Sequence, residues 1–152
     1  VKNRISVITL RKIKLVVQQS PKPQKRHRHT RKGWTYDPSS DDKKAFILMI
    51  RSEAPKTPLN GAISINIIFS MPYPKKYFRT GKFKGQLKPN APLEFINRPD
   101  IDNLLKFVMD AGNKVLWHDD CQIWKVTMEK VYSLEPGTEI IVEETDESFQ
   151  KD

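Results

Sequence analysis

The stretch Gly61-Ala62-Ile63-Ser64-Ile65-Asn66-Ile67-Ile68-Phe69-Ser70-Met71 sets Ile63, Ile65 and Ile67 against Ser64 and Asn66. A period of two is that of a half-buried strand. Helices are expected on both sides of it in the chain. Before it, Ser39 or Ser40 can cap a helix whose first turn holds Asp41 and Asp42, at the positive end of the dipole. Ala45, Phe46, Leu48 and Met49 give that helix an apolar stripe, and it should stop by Pro55. After it, Asp102 or Asn103 caps a second helix with Leu104, Leu105, Phe107, Val108 and Ala111 inward and Gly112 as terminator. Further out, Lys12 to Gln18 reads as a strand ending at Ser20-Pro21, with a less regular one at Ile5 to Leu10. Ile123 to Tyr132 and Glu139 to Glu144 read as strands, and the acidic tail after Thr145 as a frayed end.

The chain has 152 residues, enough for one domain with a hydrophobic core. Its 27 basic residues exceed 18 acidic ones, and a net charge of +9 favours polyanions, nucleic acid before an anionic membrane. No apolar run approaches the roughly 20 residues of a spanning helix, and none has the layout of a signal peptide. A soluble, cytoplasmic protein is expected. The single Cys121 excludes an internal disulfide and a thiolate zinc site of its own.

The positive charge is concentrated in two acid-free segments. From Pro21 to Tyr36 a loop carries Lys22, Lys25, Arg26, Arg28, Arg31 and Lys32, with Trp34 and Tyr36 at its end. From Pro72 to Pro99 a long Pro-, Lys- and Gly-rich loop carries Lys75, Lys76, Arg79, Lys82, Lys84 and Lys88 before Glu94. The arm residues Lys22 to Lys32, with Lys75 and Lys76, are candidate phosphate contacts, which position DNA rather than read it. Trp34, Tyr73, Tyr77 and Phe78 either stack on unpaired bases or anchor their loops, and for Trp34 anchoring is expected. Trp117 and Trp124 are expected to pack under the site. His27 and His29 are read as phosphate or solvent contacts, and His118 as a group near the acidic pair.

Between these basic segments lie two acidic clusters, Asp100-Ile101-Asp102-Asn103 with Lys106 a turn on, and Trp117-His118-Asp119-Asp120. Carboxylates are hard oxygen ligands suited to Mg²⁺ or Mn²⁺. At a strand end, a spacing of two would put Asp100 and Asp102 on one face, with Lys106 on the same side. The bland reading makes Asp100 and Asp102 helix-start residues and Lys106 and Asp110 a surface pair.

In Arg98-Pro99-Asp100-Ile101-Asp102-Asn103-Leu104-Leu105-Lys106, Asp110-Ala111 and Trp117-His118-Asp119-Asp120-Cys121-Gln122-Ile123 the chain resembles the RusA-type Holliday junction resolvases. These endodeoxyribonucleases are frequent in phages and prophages. The resemblance extends more loosely to Val16 to Gly33. It implies that Asp100, Asp102 and Asp120 are metal-binding catalytic carboxylates, Lys106 a catalytic lysine and Asp119 an accessory acid at the metal. It further implies a small α+β fold, a homodimer, Mg²⁺ or Mn²⁺ as cofactor and a four-way DNA junction as substrate. With the elements above, the expectation is one domain over residues 1–152, a mixed β-sheet with two main helices, and residues 1–11 and 145–152 as ends that can fray.

The Pro72 to Pro99 segment is longer than in compact members of that family, and the residues before Lys12 have no counterpart there. A twofold dimer also suits a pseudo-twofold junction, which needs matched nicks in opposed strands; the apolar surplus of Ile123 to Tyr132 serves either such an interface or the core. Two alternatives remain: a non-cleaving branched-DNA-binding module of the same fold, and a nucleotide-sugar transferase using the Asp-x-Asp. The second would want an α/β nucleotide-binding domain, for which the chain is short.

Overall fold

The structure, a computed structural model, describes residues 7–147. Its elements run β1 (Val7–Val17), β2 (Arg28–His29), β3 (Thr35–Tyr36), α1 (Ser40–Ile50), β4 (Ala62–Pro72), α2 (Ile101–Gly112), β5 (Ile123–Ser133) and β6 (Gly137–Glu147). Four long strands form one sheet in the order β1-β6-β4-β5, and β2 and β3 form a separate small hairpin. β6 lies antiparallel to both β1 and β4, whereas β5 runs parallel to β4. The fold is therefore α+β with a mixed sheet and two helices, as the sequence led us to expect.

Alternation in β4 does what its period requires. Ile63, Ile65, Ile67, Phe69 and Met71 are buried, and meet Leu15 and Val17 of β1 and Ile140 and Val142 of β6 in one core. α2 covers this face with Leu104, Phe107, Val108 and Ala111. α1 adds Phe46 and Ile50, and the Phe46 and Phe107 rings meet edge to face at 5.6 Å. Each such buried apolar side chain contributes about 1.5–3 kcal/mol relative to its exposed state.

Several expectations change. Val7 to Leu10 and Lys12 to Val17, read as two strands, are one strand, β1, with a register shift between Thr9 and Arg11, while Ile5 and Ser6 of the first expected strand lie outside the described residues. That bulge breaks the alternation and makes one strand read as two. Val7 to Thr9 pair with Thr145 to Glu147, and Arg11 with Glu144, at this end of the sheet; residues 1–6 and 148–152, the remainder of the expected ends, lie outside the described part. In α1, Leu48 and Met49 are exposed and Ile50 is buried in their place. The helix turns its inner face through Phe46 and Ile50, four apart. The Pro72 to Pro99 segment is not structureless: it holds 3₁₀ turns at Lys75–Tyr77 and Gly81–Phe83, and Phe78 bridges Leu87.

Gly112 ends α2 for a reason other than a left-handed backbone. A Cβ there would overlap the Trp117 ring, with Cε2 and Cη2 both at 2.9 Å, so glycine lets the indole lie on the helix end. The left-handed residue is Lys114, with φ of 66°. The turn is closed by Leu116 N–H donating to Gly112 O at 2.8 Å and Lys114 N–H to Trp117 O at 2.7 Å.

Candidate functional site

The exposed side of α2 builds the site. Asp102, Lys106 and Asp110 recur every four residues, so they stand in a row opposite the buried Leu104, Phe107, Val108 and Ala111. They line one open cleft of about 600 Å³ together with Asp100 and Asn103, and its other wall is Gln24, Lys25, Arg26 and His27. Acidic residues and the root of the basic arm thus face each other.

Asp100, not Asp102 or Asn103, occupies the N-cap position, with an extended backbone. Its carbonyl accepts from the Asn103 and Leu104 N–H groups at 3.2 Å. Its carboxylate makes no capping bond. Asp100 and Asp102 therefore share a helix start instead of a strand end, yet still reach one cleft. Among the described residues neither carboxylate has a side-chain hydrogen bond or ion pair. In a chain with nine excess positive charges, two unpaired neighbouring carboxylates leave hard oxygen donors free for a cation. The Lys106–Asp110 surface pair is not seen; Asp110 instead accepts from Lys43 Nζ at 3.3 Å.

The second cluster is a 3₁₀ turn, Asp120–Gln122, with Asp119 as its cap. Asp119 Oδ1 accepts from Cys121 N–H at 2.8 Å, and Gln122 Oε1 accepts from the N–H groups of His118 and Asp119 at 2.8 and 3.0 Å. Gln122 Nε2 donates to Leu59 O and Gly61 O at 2.9 and 3.0 Å, tying the turn to the start of β4. Hydrogen bonds from Cys121 hold the Asp119 carboxyl below its ordinary value. Burial pushes the Asp120 carboxyl up, and the hydrogen bond and charge of Asp119 and the charge of Asp110 push it the same way. Crowded carboxylates of this kind favour either a shared proton or a cation.

Asp110 is the link between the two clusters, lining the cleft and acting on Asp120. Asp120 itself is not among the residues that line the cleft. Among the described residues, no three His, Cys, Asp or Glu side chains stand close enough to hold a metal ion as they are. The donor chemistry of Asp100 and Asp102 fits a hard divalent cation.

Both walls are braced from behind. Lys130 of β5 donates to Asn97 O and Pro99 O at 2.7 Å each, fixing the backbone that delivers Asp100. On the other wall, Gln24 N–H donates to Asn103 O at 2.9 Å, fastening the arm to α2. Asp37 then gathers three donors: Gln24 Nε2 at 3.0 Å, Ser39 N–H at 2.9 Å and Lys43 Nζ at 2.7 Å. Ser39 is the N-cap residue of α1, but its hydroxyl accepts from Lys25 N–H at 2.9 Å instead of capping the helix. Asp37, Lys43, Gln122 and Lys130 escape a reading for site residues. Only Asp119-x-x-Gln122 carries a recognisable signature, that of a capping box.

The basic residues fall into groups. Lys25 and Arg26 line the cleft. Lys22 and Lys25 lie 3.9 and 3.7 Å from Asp42. Arg28 is in the hairpin and Arg31 and Lys32 are in its turn, all exposed and outside the cleft lining. Lys75 and Lys76 are exposed on a 3₁₀ turn, with Lys76 Nζ 5.0 Å from the Tyr77 ring centre.

The aromatics divide differently from expectation. Tyr73 stacks on Tyr132 at 4.8 Å and meets Tyr77 and Phe78 edge to face, so this group anchors its loop. Trp117 is buried, with Nε1 donating to Asn113 at 3.0 Å. Trp34 anchors nothing: it is 73% exposed. Trp124 does not pack under the site either; it is exposed on the edge strand β5, its Nε1 donating to Thr145 Oγ1 at 3.0 Å. His29 bonds Thr35 within the hairpin, and His27 lines the cleft.

No helix among the described residues is long and apolar enough to cross a membrane. A family model described as endodeoxyribonuclease RusA matches residues 18–143, which take in the arm, the cleft and both acidic clusters. A protein of Bacillus subtilis (strain 168), named uncharacterized protein YqaN, is 31% identical over 107 residues, covering 66% of this chain and 71% of that protein.

Proposed function

The chain belongs to the RusA endodeoxyribonuclease family, and from that premise we propose that it is a divalent-metal-dependent endonuclease that resolves four-way DNA junctions by paired nicks. The observation that carries this reading is the cleft itself. Unpaired carboxylates of Asp100 and Asp102 sit beside Lys106, opposite Lys25 and Arg26.

Asp100, Asp102 and Asp120 would hold the ion, Mg²⁺ or Mn²⁺, with Asp119 holding the Asp120 turn in place and available as an accessory acid. When bound, such an ion supplies Lewis acidity toward a phosphodiester and neutralises charge that builds on it. The chain's own groups do the rest. Lys25 and Arg26 draw the phosphate backbone to the cleft wall. Lys106, on the same helix face as Asp102, places an ammonium beside the scissile phosphate, where negative charge grows as water attacks phosphorus and the ester oxygen leaves. Lys22, Arg28, Arg31, Lys32, Lys75 and Lys76 extend the positive surface along the flanking duplex arms. A homodimer supplies the second site for the opposed strand, and the exposed edge of β5 at Trp124 and Val126 is a surface on which two copies can meet.

Asp120→Asn tests the assignment. Nicking of a synthetic four-way junction in Mg²⁺ should be abolished while junction binding persists. If the unmodified protein binds junctions but cuts no branched DNA with Mg²⁺ or Mn²⁺, the chain is the non-cleaving module instead.

A further inference from the structure

We infer that Trp34, with Tyr36 beside it, is a stacking platform for the base faces that DNA exposes at a branch point, and that it lets the arm tell a branch point from continuous duplex. The inference rests on the branched-DNA reading above and goes beyond it by naming a group that recognises the branch.

The placement of the ring carries the argument. Trp34 is 73% exposed and Tyr36 47%, and only Thr35 of the short strand β3 separates them. Neither is loose. Thr30 N–H donates to Trp34 O at 2.8 Å, Trp34 N–H to Thr30 Oγ1 at 3.2 Å, and Gly33 N–H to Thr30 O at 3.0 Å. Gly33, at φ of 80°, supplies the left-handed corner. The register Arg28↔Tyr36 and His29↔Thr35, with Thr35 Oγ1 2.8 Å from His29 Nδ1, closes the hairpin.

An indole held in water on a backbone fixed at both its N–H and its C=O loses little freedom on binding, and such preorganisation turns contact area into affinity. The occupant follows from charge. Arg28, Arg31 and Lys32 are exposed in the same hairpin, and the segment from Pro21 to Tyr36 has no acidic residue, so the partner is a polyanion with flat faces to offer. In continuous duplex those faces are covered by neighbouring base pairs; at a branch point the end pairs expose them. The hairpin continues directly from residues 24–27 of the cleft wall, so a base stacked there belongs to DNA already running toward Asp100 and Asp102.

The test is equilibrium binding in EDTA, where no strand is cut, to a four-way junction carrying 2-aminopurine at the branch point and to a linear duplex of the same sequence. Trp34→Ala should weaken junction binding about 5- to 100-fold and leave duplex affinity and its salt slope unchanged. Trp34→Phe should keep most of the junction affinity. Wild type should quench the 2-aminopurine and Trp34→Ala should not. The inference is overturned if Trp34→Ala binds and quenches as wild type does, or loses junction and duplex affinity equally. A wild-type protein with no preference for the junction would remove the branched-DNA reading and this inference with it. A preference that survives Trp34→Ala would remove only the inference.

Discussion

Replacing Asp37 should loosen the root of the arm, and the structure sets the size of the effect. Its carboxylate takes Lys43 Nζ on Oδ2, and Gln24 Nε2 and Ser39 N–H together on Oδ1, with side-chain exposures of 19% for Asp37 and 15% for Lys43. A hydrogen bond to a charged group contributes about 1.5–3 kcal/mol, and bonds sharing one oxygen do not add fully, so Asp37→Ala should cost about 2–4 kcal/mol. Lys43 keeps Asp110 at 3.3 Å, so its charge is not stranded. Asp37→Asn retains an acceptor for Gln24 and Ser39 but sets an amide against the ammonium, and should cost about 1–2 kcal/mol. Acid separates this from a packing defect. Burial pushes the Asp37 carboxyl up, but the bonds from Lys43, Ser39 and Gln24 and the Lys43 charge outweigh it and hold the group below its ordinary value. A depressed carboxyl contributes stability at pH values above about 3.9, lost as the pH falls through the lowered value of the folded state. Urea denaturation from pH 7 to 2 should therefore show wild type above Asp37→Asn at neutral pH, with the two converging in acid. Equal stabilities at pH 7 within about 0.5 kcal/mol, or a constant gap at all pH values, would refute the argument.

Gly112→Ala forces a methyl group into the Trp117 ring and should destabilise the fold by about 1–3 kcal/mol, read from the urea midpoint. Lys130→Met releases the carbonyls of Asn97 and Pro99; nicking in Mg²⁺ should fall about 10- to 100-fold through displacement of Asp100, while binding to duplex is retained. Removing Arg28, Arg31 and Lys32 together should lower the slope of log affinity against log salt by up to about 0.9 for each phosphate that is no longer neutralised, checked by titration of duplex at several NaCl concentrations.

Local pattern carried most of the fold. The isoleucine alternation of β4 and the 3.6-residue stripe of α2 are each written within a dozen residues, and both stand where they were read. The cap falls at Asp100 where Asp102 or Asn103 was expected, because every short polar residue in Asp100-Ile101-Asp102-Asn103 suits a helix start, and only the backbone turn selects among them. The strand β1 read as two because its bulge breaks the period. Long-range polar ties left no trace at all. Lys130 serves carbonyls more than 30 residues earlier, and Asp37 joins an arm, a helix start and the cleft through three partners of ordinary type. Trp34 misled for a physical reason: burial is the usual fate of a large indole, and its exposure becomes visible only once the hairpin is drawn.

The strand order has a consequence for how the molecule is made. β6 follows β1, β4 and β5 along the chain, yet it fills an interior position between β1 and β4. Until Gly137 to Glu147 emerge, the earliest strand has no neighbour, and Leu15, Val17 and the isoleucines of β4 lack the Ile140 and Val142 they close upon. β4 and β5 can pair with each other before then, but β1 joins the sheet only through β6, which makes its closure late and non-local.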